Sequence, residues 1–176
     1  NGVEIGRFGQ VNNVCFGDIA NGNLASGTFS TVSGGTGNTA SNDYSAVLNG
    51  QNSTASEKYS TVINGNINTA SGDASTVING SNNTASGFLS TVINGSTNTA
   101  SGDYSAVING QNNTAYSYGE IVGGLYSTNY TPNSTGAWDG KDYIFRIGNG
   151  QGAGAESDAI QIKKNGEVYL PSYVSV

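Results

Sequence analysis

The side chains able to do acid–base or nucleophilic chemistry are few. The chain has no histidine, one cysteine (Cys15), and six basic against twelve acidic residues, for a net charge of −6. Without histidine a Ser-His-Asp or Cys-His relay has no base, and a His/Cys metal site has no ligand set. Cys15 lies in the apolar run Asn13-Val14-Cys15-Phe16-Gly17 and reads as a small buried hydrophobe. Four carboxylates along the middle of the chain, Asp43, Glu57, Asp73 and Asp103, stand singly. A glycosidase needs two that face each other. Stacking of chain segments would bring Asp73 near Glu57 but not near Asp103, so these read as solvated charges at corners. The glycine-rich loop Gly148–Gly154 is followed by neither Lys-Ser/Thr nor a helix, which argues against a phosphate cradle. So few lysines and arginines cannot neutralise a phosphate backbone, and nucleic-acid binding is not expected. The expectation is a protein that is not an enzyme and carries no cofactor and no metal.

What recurs instead is hydrogen-bonding side chains at a fixed spacing. Asn68, Asn83, Asn98 and Asn113, with Thr69, Thr84, Thr99 and Thr114 beside them, follow one another every fifteen residues. The elements that position them are read from the same period. Val32, Val47, Val62, Val77, Val92, Val107 and Val122 keep this step, as do Ala25, Ala40, Ala55, Ala70, Ala85, Ala100 and Ala115. A strict short period predicts a solenoid. Each unit holds two strand-forming segments, STVI and NTAS, divided by Asn-Gly or Ser-Gly steps that supply the positive φ of tight corners. One unit therefore makes one coil of a narrow β-roll, and coils stack at about 4.8 Å.

Side chains alternate along a strand. The valine never varies while its neighbour runs Leu48, Ile63, Ile78, Ile93, Ile108, so valine points inward. Tyr44, Tyr59 and Tyr104 fall on the outer face with the isoleucines by the same alternation. An outer apolar stripe of this extent exceeds what a soluble monomer leaves exposed, and a core of valine, alanine and serine is thin. Both predict association along Leu48, Ile63, Ile78, Ile93 and Ile108, flanked by the three tyrosines.

Three regions follow. Residues 1–30 are a degenerate entry or cap coil in which Gly17 falls at the valine position; 31–130 are the repeat array; 131–176 are a small antiparallel β cap or adaptor. In the last, Asp142–Gly148 and residues 159–170 read as strands, with a type I′ hairpin at Asn165-Gly166 and with Trp138 and Tyr143 in its core. No run is long and apolar enough to span a bilayer, so membrane insertion by this fragment is not expected. Opening on Asn1-Gly2-Val3, the chain reads as a piece of a longer protein.

The units YSTVINGNINTASGD, ASTVINGSNNTASGF and LSTVINGSTNTASGD, with NVCFG near the start, resemble the YadA-like head repeats of trimeric autotransporter adhesins and related phage tail-fibre repeats. The segment FRIGNGQGAGAESDAIQIKKNGEVYL is similar to one that follows such repeats. The resemblance implies an all-β, left-handed parallel β-roll, a homotrimer about a threefold axis, and attachment to a host surface protein or glycan. It places the protein outside the cell, on a surface fibre of an outer-membrane-anchored parent or on a virion tail fibre. The asparagines and threonines named above are then the candidate ligand-facing ladder. Two other readings are an ice-binding solenoid using the Thr-x-Ser ladder and a structural fibre segment with no ligand of its own.

Overall fold

The computed structural model of the chain describes residues 7–8, 14–15 and 22–171. They form an all-β parallel solenoid of about seven turns, with no helix among the described residues. Each fifteen-residue unit supplies one short strand to each of two parallel sheets. In the valine sheet Thr76–Ile78 pairs with Thr61–Ile63 on one side and Thr91–Ile93 on the other, residue for residue. In the alanine sheet Thr84–Ala85 lies in the same way between Thr69–Ala70 and Thr99–Ala100. A third line of contact runs through the bridges Gln51, Asn66, Ser81 and Ser96.

Corners are made by left-handed residues. In the unit from Ser60 to Ala74 these are Asn64, Gly65, Ile67 and Ala74, with φ of 60°, 93°, 52° and 54°. Strand residues such as Thr61 and Thr69 donate N–H forward to the next coil. The non-glycine left-handed residues donate backward: Asn64 to Leu48 O, Ile67 to Gln51 O, Ala74 to Lys58 O. A left-handed turn reverses the peptide, and the reversed N–H finds a carbonyl on the coil behind. The corner backbone is thus hydrogen-bonded as fully as the strands.

The interior confirms the inward valines. All seven valines, and the alanines from Ala40 to Ala115, are fully buried. The entry coil departs from expectation, because Cys15, not Gly17, pairs with Val32. A coil two residues longer than the repeat puts the cysteine in the valine place, where it is buried. Most of the remaining entry region lies outside the described residues.

Between the apolar rows run two polar ones, and here a prediction is corrected. Asn68, Asn83, Asn98 and Asn113 are completely buried and do not face a ligand. Each bridges to the coil ahead. Asn83 Oδ1 accepts Asn98 N–H at 3.0 Å, while its Nδ2 donates to Gly95 O at 3.0 Å and to Asn79 O on its own coil at 3.4 Å. Asn68 and Asn98 repeat this pattern. Gly80 belongs to the same device: its φ is +89°, and a Cβ there would lie 2.2 Å from Gly95 O and 2.5 Å from Asn83 Nδ2. The second row is serine. Ser60 Oγ donates to Glu57 O at 2.6 Å and accepts Glu57 N–H at 3.1 Å, closing the other corner.

The C-terminal region is not wholly antiparallel. Tyr143–Asn149 pairs parallel with Ile121–Leu125 and continues the valine sheet, with Arg146 in register with Val122. Only then does the chain turn back through the antiparallel strands Asp158–Lys163 and Val168–Tyr169. Their hairpin is not type I′, since Asn165 lacks a positive φ. Gly166 N–H bonds Lys163 O, and Gly166 itself is left-handed, as in a type I turn with a bulge.

Arg146 plugs the end of the roll. Glu120 stands in the serine row, one coil past Ser105, and like Ser60 and Ser75 accepts N–H groups at its corner, from Tyr116 at 2.7 Å and Ser117 at 2.9 Å. Tyr130 OH donates to the same oxygen, Oε2, at 2.8 Å, and the second oxygen, Oε1, accepts Arg146 Nε at 2.5 Å. Arg146 reaches Asp158 at 3.4 Å and donates to the carbonyls of Thr128 and Thr114, both at 2.5 Å. Among the described residues no strand of the alanine sheet follows Thr114–Ala115, so the guanidinium supplies a donor where the next coil would have been. Tyr116, Tyr130 and Tyr143 pack around it. Burial alone would lower the Arg146 pKa; Glu120 and Asp158 outweigh it and raise the pKa, so the charge is permanent. Burial, then the Glu120 charge, likewise push the Tyr130 hydroxyl above its usual range and keep it a donor.

Two outcomes are expected in denaturant unfolding. Asn83→Ala lowers stability by about 2–4 kcal/mol, because buried backbone groups on two coils lose partners, while Asn83→Ser loses less, since Ser53 already fills this row and accepts Asn68 N–H. Arg146→Ala costs about 3–5 kcal/mol by leaving two buried carboxylates without a cation. In that variant hydrogen exchange accelerates first in residues 121–171 and only later in the coils around Val77.

Candidate interaction surface

With the polar rows directed inward, the surface able to meet a partner is built from the outward positions of the two sheets and from one corner. On the valine sheet, in-register pairing lines up Leu48, Ile63, Ile78, Ile93 and Ile108. Leu48 and Ile108 are exposed, and the three isoleucines between them are half-buried by their own neighbours. Beyond Ile108 the register reaches Gly123 and then Ile147. A side chain on Gly123 would meet the Ile147 Cδ1, at 3.6 Å from its Cβ. The row of β-branched and leucine side chains therefore runs from the array onto the cap strand, on the face opposite the buried valines.

The tyrosines sit elsewhere than alternation placed them. Tyr44, Tyr59 and Tyr104 are not on the strand but at the corner before it, with φ of 58°, 58° and 57°. Phe29 and Leu89 occupy the same corner in other coils, also left-handed. Bulky residues pay about 1–2 kcal/mol for this conformation. Glycine would avoid the strain, as Gly119 does at the same place. The corner is held because its N–H bonds the preceding coil: Tyr44 to Thr28 O at 2.9 Å, Tyr59 to Asp43 O at 3.1 Å, Tyr104 to Phe88 O at 2.7 Å. Such a corner points the ring away from the roll, and Tyr59 is 51% exposed. Phe29, Tyr44 and Tyr59 then stack in a column, with centroids 5.2 and 5.1 Å apart and planes within 17°.

On the alanine sheet Thr69, Thr84, Thr99 and Thr114 are half-buried on the outward face, in parallel register. Of the predicted ladder, then, the threonines lie outward and the asparagines do not. The corner carboxylates serve the fold: Asp43 accepts Thr28 N–H at 3.1 Å and Asp103 accepts Phe88 N–H at 2.9 Å, each bonding the coil behind. Among the described residues no group of three or more Cys, Asp or Glu side chains is placed to hold a metal ion.

No family model and no curated protein matches this sequence. The functional reading rests on the surface itself. Its least expected residue is Trp138, read from sequence as core and found 61% exposed. The sequence signal was its place in a proline- and glycine-containing segment outside both strands, where a tryptophan has no sheet to bury it.

Tyr59→Gly separates display from folding. Removing the strained conformation recovers about 1–2 kcal/mol, and losing the stack on Tyr44 costs about 0.5–1.5 kcal/mol. Single-chain stability is expected to stay within about 1 kcal/mol of the parent by denaturant titration. A loss well beyond that would make the column a structural element.

Proposed function

We propose that this chain is the non-enzymatic head of a trimeric surface fibre, acting in attachment to a host surface protein or glycan. The observation that carries the reading is the row Leu48–Ile63–Ile78–Ile93–Ile108, directed outward along the rod and continued by Ile147. Contiguous apolar surface of this kind marks an interface. Three copies of one row meeting on a threefold axis form a closed assembly in which every coil meets its own equivalents, so the register within each chain also sets the register between chains. In this reading the coils are left-handed, as in YadA-like heads, and the parent is a bacterial adhesin or a phage fibre outside the cell. The rod then displays its corners three times over, and weak contacts add by avidity.

The threonine row supports a second reading. Thr69, Thr84, Thr99 and Thr114 repeat in register on one parallel sheet, the kind of array that orders water where the sheet is flat. An ice-binding solenoid of this design works as a monomer and leaves the isoleucine row without a role. A fibre segment with no ligand would keep the trimer and lack any binding.

Light scattering is expected to give three times the 17.9 kDa of one chain. Ile78→Asp is expected to dissociate the assembly, because three carboxylates would face one another in an apolar seam. A parent mass of one chain, with inhibition of ice recrystallisation, would replace the fibre reading by the ice-binding one. An intact Ile78→Asp trimer would move the seam to another face.

A further inference from the structure

The one tryptophan of the chain is the most exposed large apolar side chain among the described residues, yet the segment carrying it is firmly held. The buried Asp142 carboxylate accepts Asn133 N–H at 2.7 Å, Asn133 Nδ2 at 3.1 Å and Ser134 N–H at 2.9 Å. Thr135 O accepts Asp103 N–H at 2.8 Å, and Gly140 O accepts Asn165 N–H at 3.1 Å. The segment is therefore tied on one side to the corners of the array and on the other to the terminal hairpin. An exposed aromatic ring on such a support costs little ordering entropy when a ligand covers it.

The rings beside it differ from the column at the other end of the rod. Phe29, Tyr44 and Tyr59 lie face on face and cover one another. Phe88, Tyr104 and Tyr118 meet edge to face, with interplanar angles of 86° and 61° and centroids 5.4 and 5.3 Å apart. In an edge-to-face pair one ring's edge covers one face of the other, so the ring surface left open here is mainly that of Tyr104, which is 49% exposed, with Tyr118 half-buried beside it. Lys164 joins this group to the tryptophan: its Nζ lies 5.9 Å from the Tyr118 centroid and 5.6 Å from that of Trp138, and it donates to Ser117 Oγ at 3.2 Å. Alongside are Asp103, whose Oδ2 lies 3.2 Å from where a Gly136 Cβ would stand, Asn165, whose Cβ lies 3.6 Å from where a Gly140 Cβ would stand, and Asp139, whose carboxylate accepts Lys141 N–H and acts on the Lys164 charge.

We propose that Tyr104, Tyr118 and Trp138 form a binding site for a neutral oligosaccharide. A pyranose has an apolar C–H face and a rim of hydroxyls. The open ring faces receive the first, and the carboxylates of Asp103 and Asp139 with the Asn165 amide accept and donate to the second. A protein partner would seek a larger apolar patch with a charge-depleted centre. An anionic glycan meets two carboxylates on a chain of net charge −6. The site gives the attachment reading a place and a ligand class and rests on that reading for its role, but its geometry lies within one chain.

Because Trp138 is the one tryptophan, its emission reports this site alone. The test titrates hexamers of glucose (α-1,4 and β-1,4), mannose and N-acetylglucosamine, with dextran sulfate as the anionic arm. At least one neutral hexamer is expected to shift the emission saturably to the blue. By calorimetry Trp138→Ala should weaken that binding at least tenfold and Tyr104→Ala severalfold, with circular dichroism unchanged. Ile78→Asp should keep the per-chain affinity, which separates this site from the fate of the trimer. Silence with every neutral hexamer, equal binding by Trp138→Ala, or a response to dextran sulfate alone would overturn the proposal, and light scattering on the same samples would still decide the assembly.

Discussion

The buried asparagine amide is the interaction on which the rest of the structure depends. A coil of fifteen residues offers no room for a large hydrophobic core; what it encloses is one valine, one alanine, a serine and an asparagine. The amide joins three pieces of backbone that would otherwise be buried without partners: a corner of its own coil and two points on the next. Meeting all of them requires that every coil present the same groups at the same height. Length, corner conformation and the glycines beside the amide are fixed by that requirement, and the straight rows on the outer surface follow from it.

The C-terminal end shows what happens when the requirement can no longer be met. Gln111 pairs with Leu125, one residue short of the repeat, and Ser127 takes the place where the next asparagine would stand, donating its N–H to Asn113 Oδ1 at 3.1 Å. Past that point the alanine sheet stops. Charge replaces repetition: a carboxylate in the serine row and a guanidinium in the valine row supply the donors and acceptors that one more coil would have given. A buried ion pair is a costly way to end a structure, and here it is surrounded by aromatic rings and hydrogen-bonded on every side.

The repeat was legible because spacing alone carries it. Strict recurrence of Val and Ala gave both sheets, the inward faces and the outward isoleucines. Misplaced were residues outside the strands. Tyr44 lies two residues before a strand, and a period of two extended through it placed it on a sheet face; Asn68 was assigned to the surface for its polarity and recurrence, although alternation from Thr69 and Ala70 turns it inward, as found. The tyrosine is itself left-handed, and a reversed peptide takes it off the sheet face to the corner. Arg146 was hidden for another reason. In sequence it is the centre of an ordinary alternating strand, and only pairing with Ile121–Leu125, across twenty-odd residues of chain, puts it over the open end. The entry coil erred by two residues because an insertion shifts register without changing composition.

Both ends leave the middle of the rod untouched, since the coils between Val47 and Val92 bond only the coils before and after them. A unit added or lost in that stretch meets equivalent partners on both sides, and neither the plug nor the entry coil registers the change. The molecule is thus a ruler whose reach can be reset in steps of about 4.8 Å by duplicating or deleting a stretch of forty-five nucleotides, with no new interaction to be devised. The distance between the two ends of the solenoid is in that sense a heritable integer.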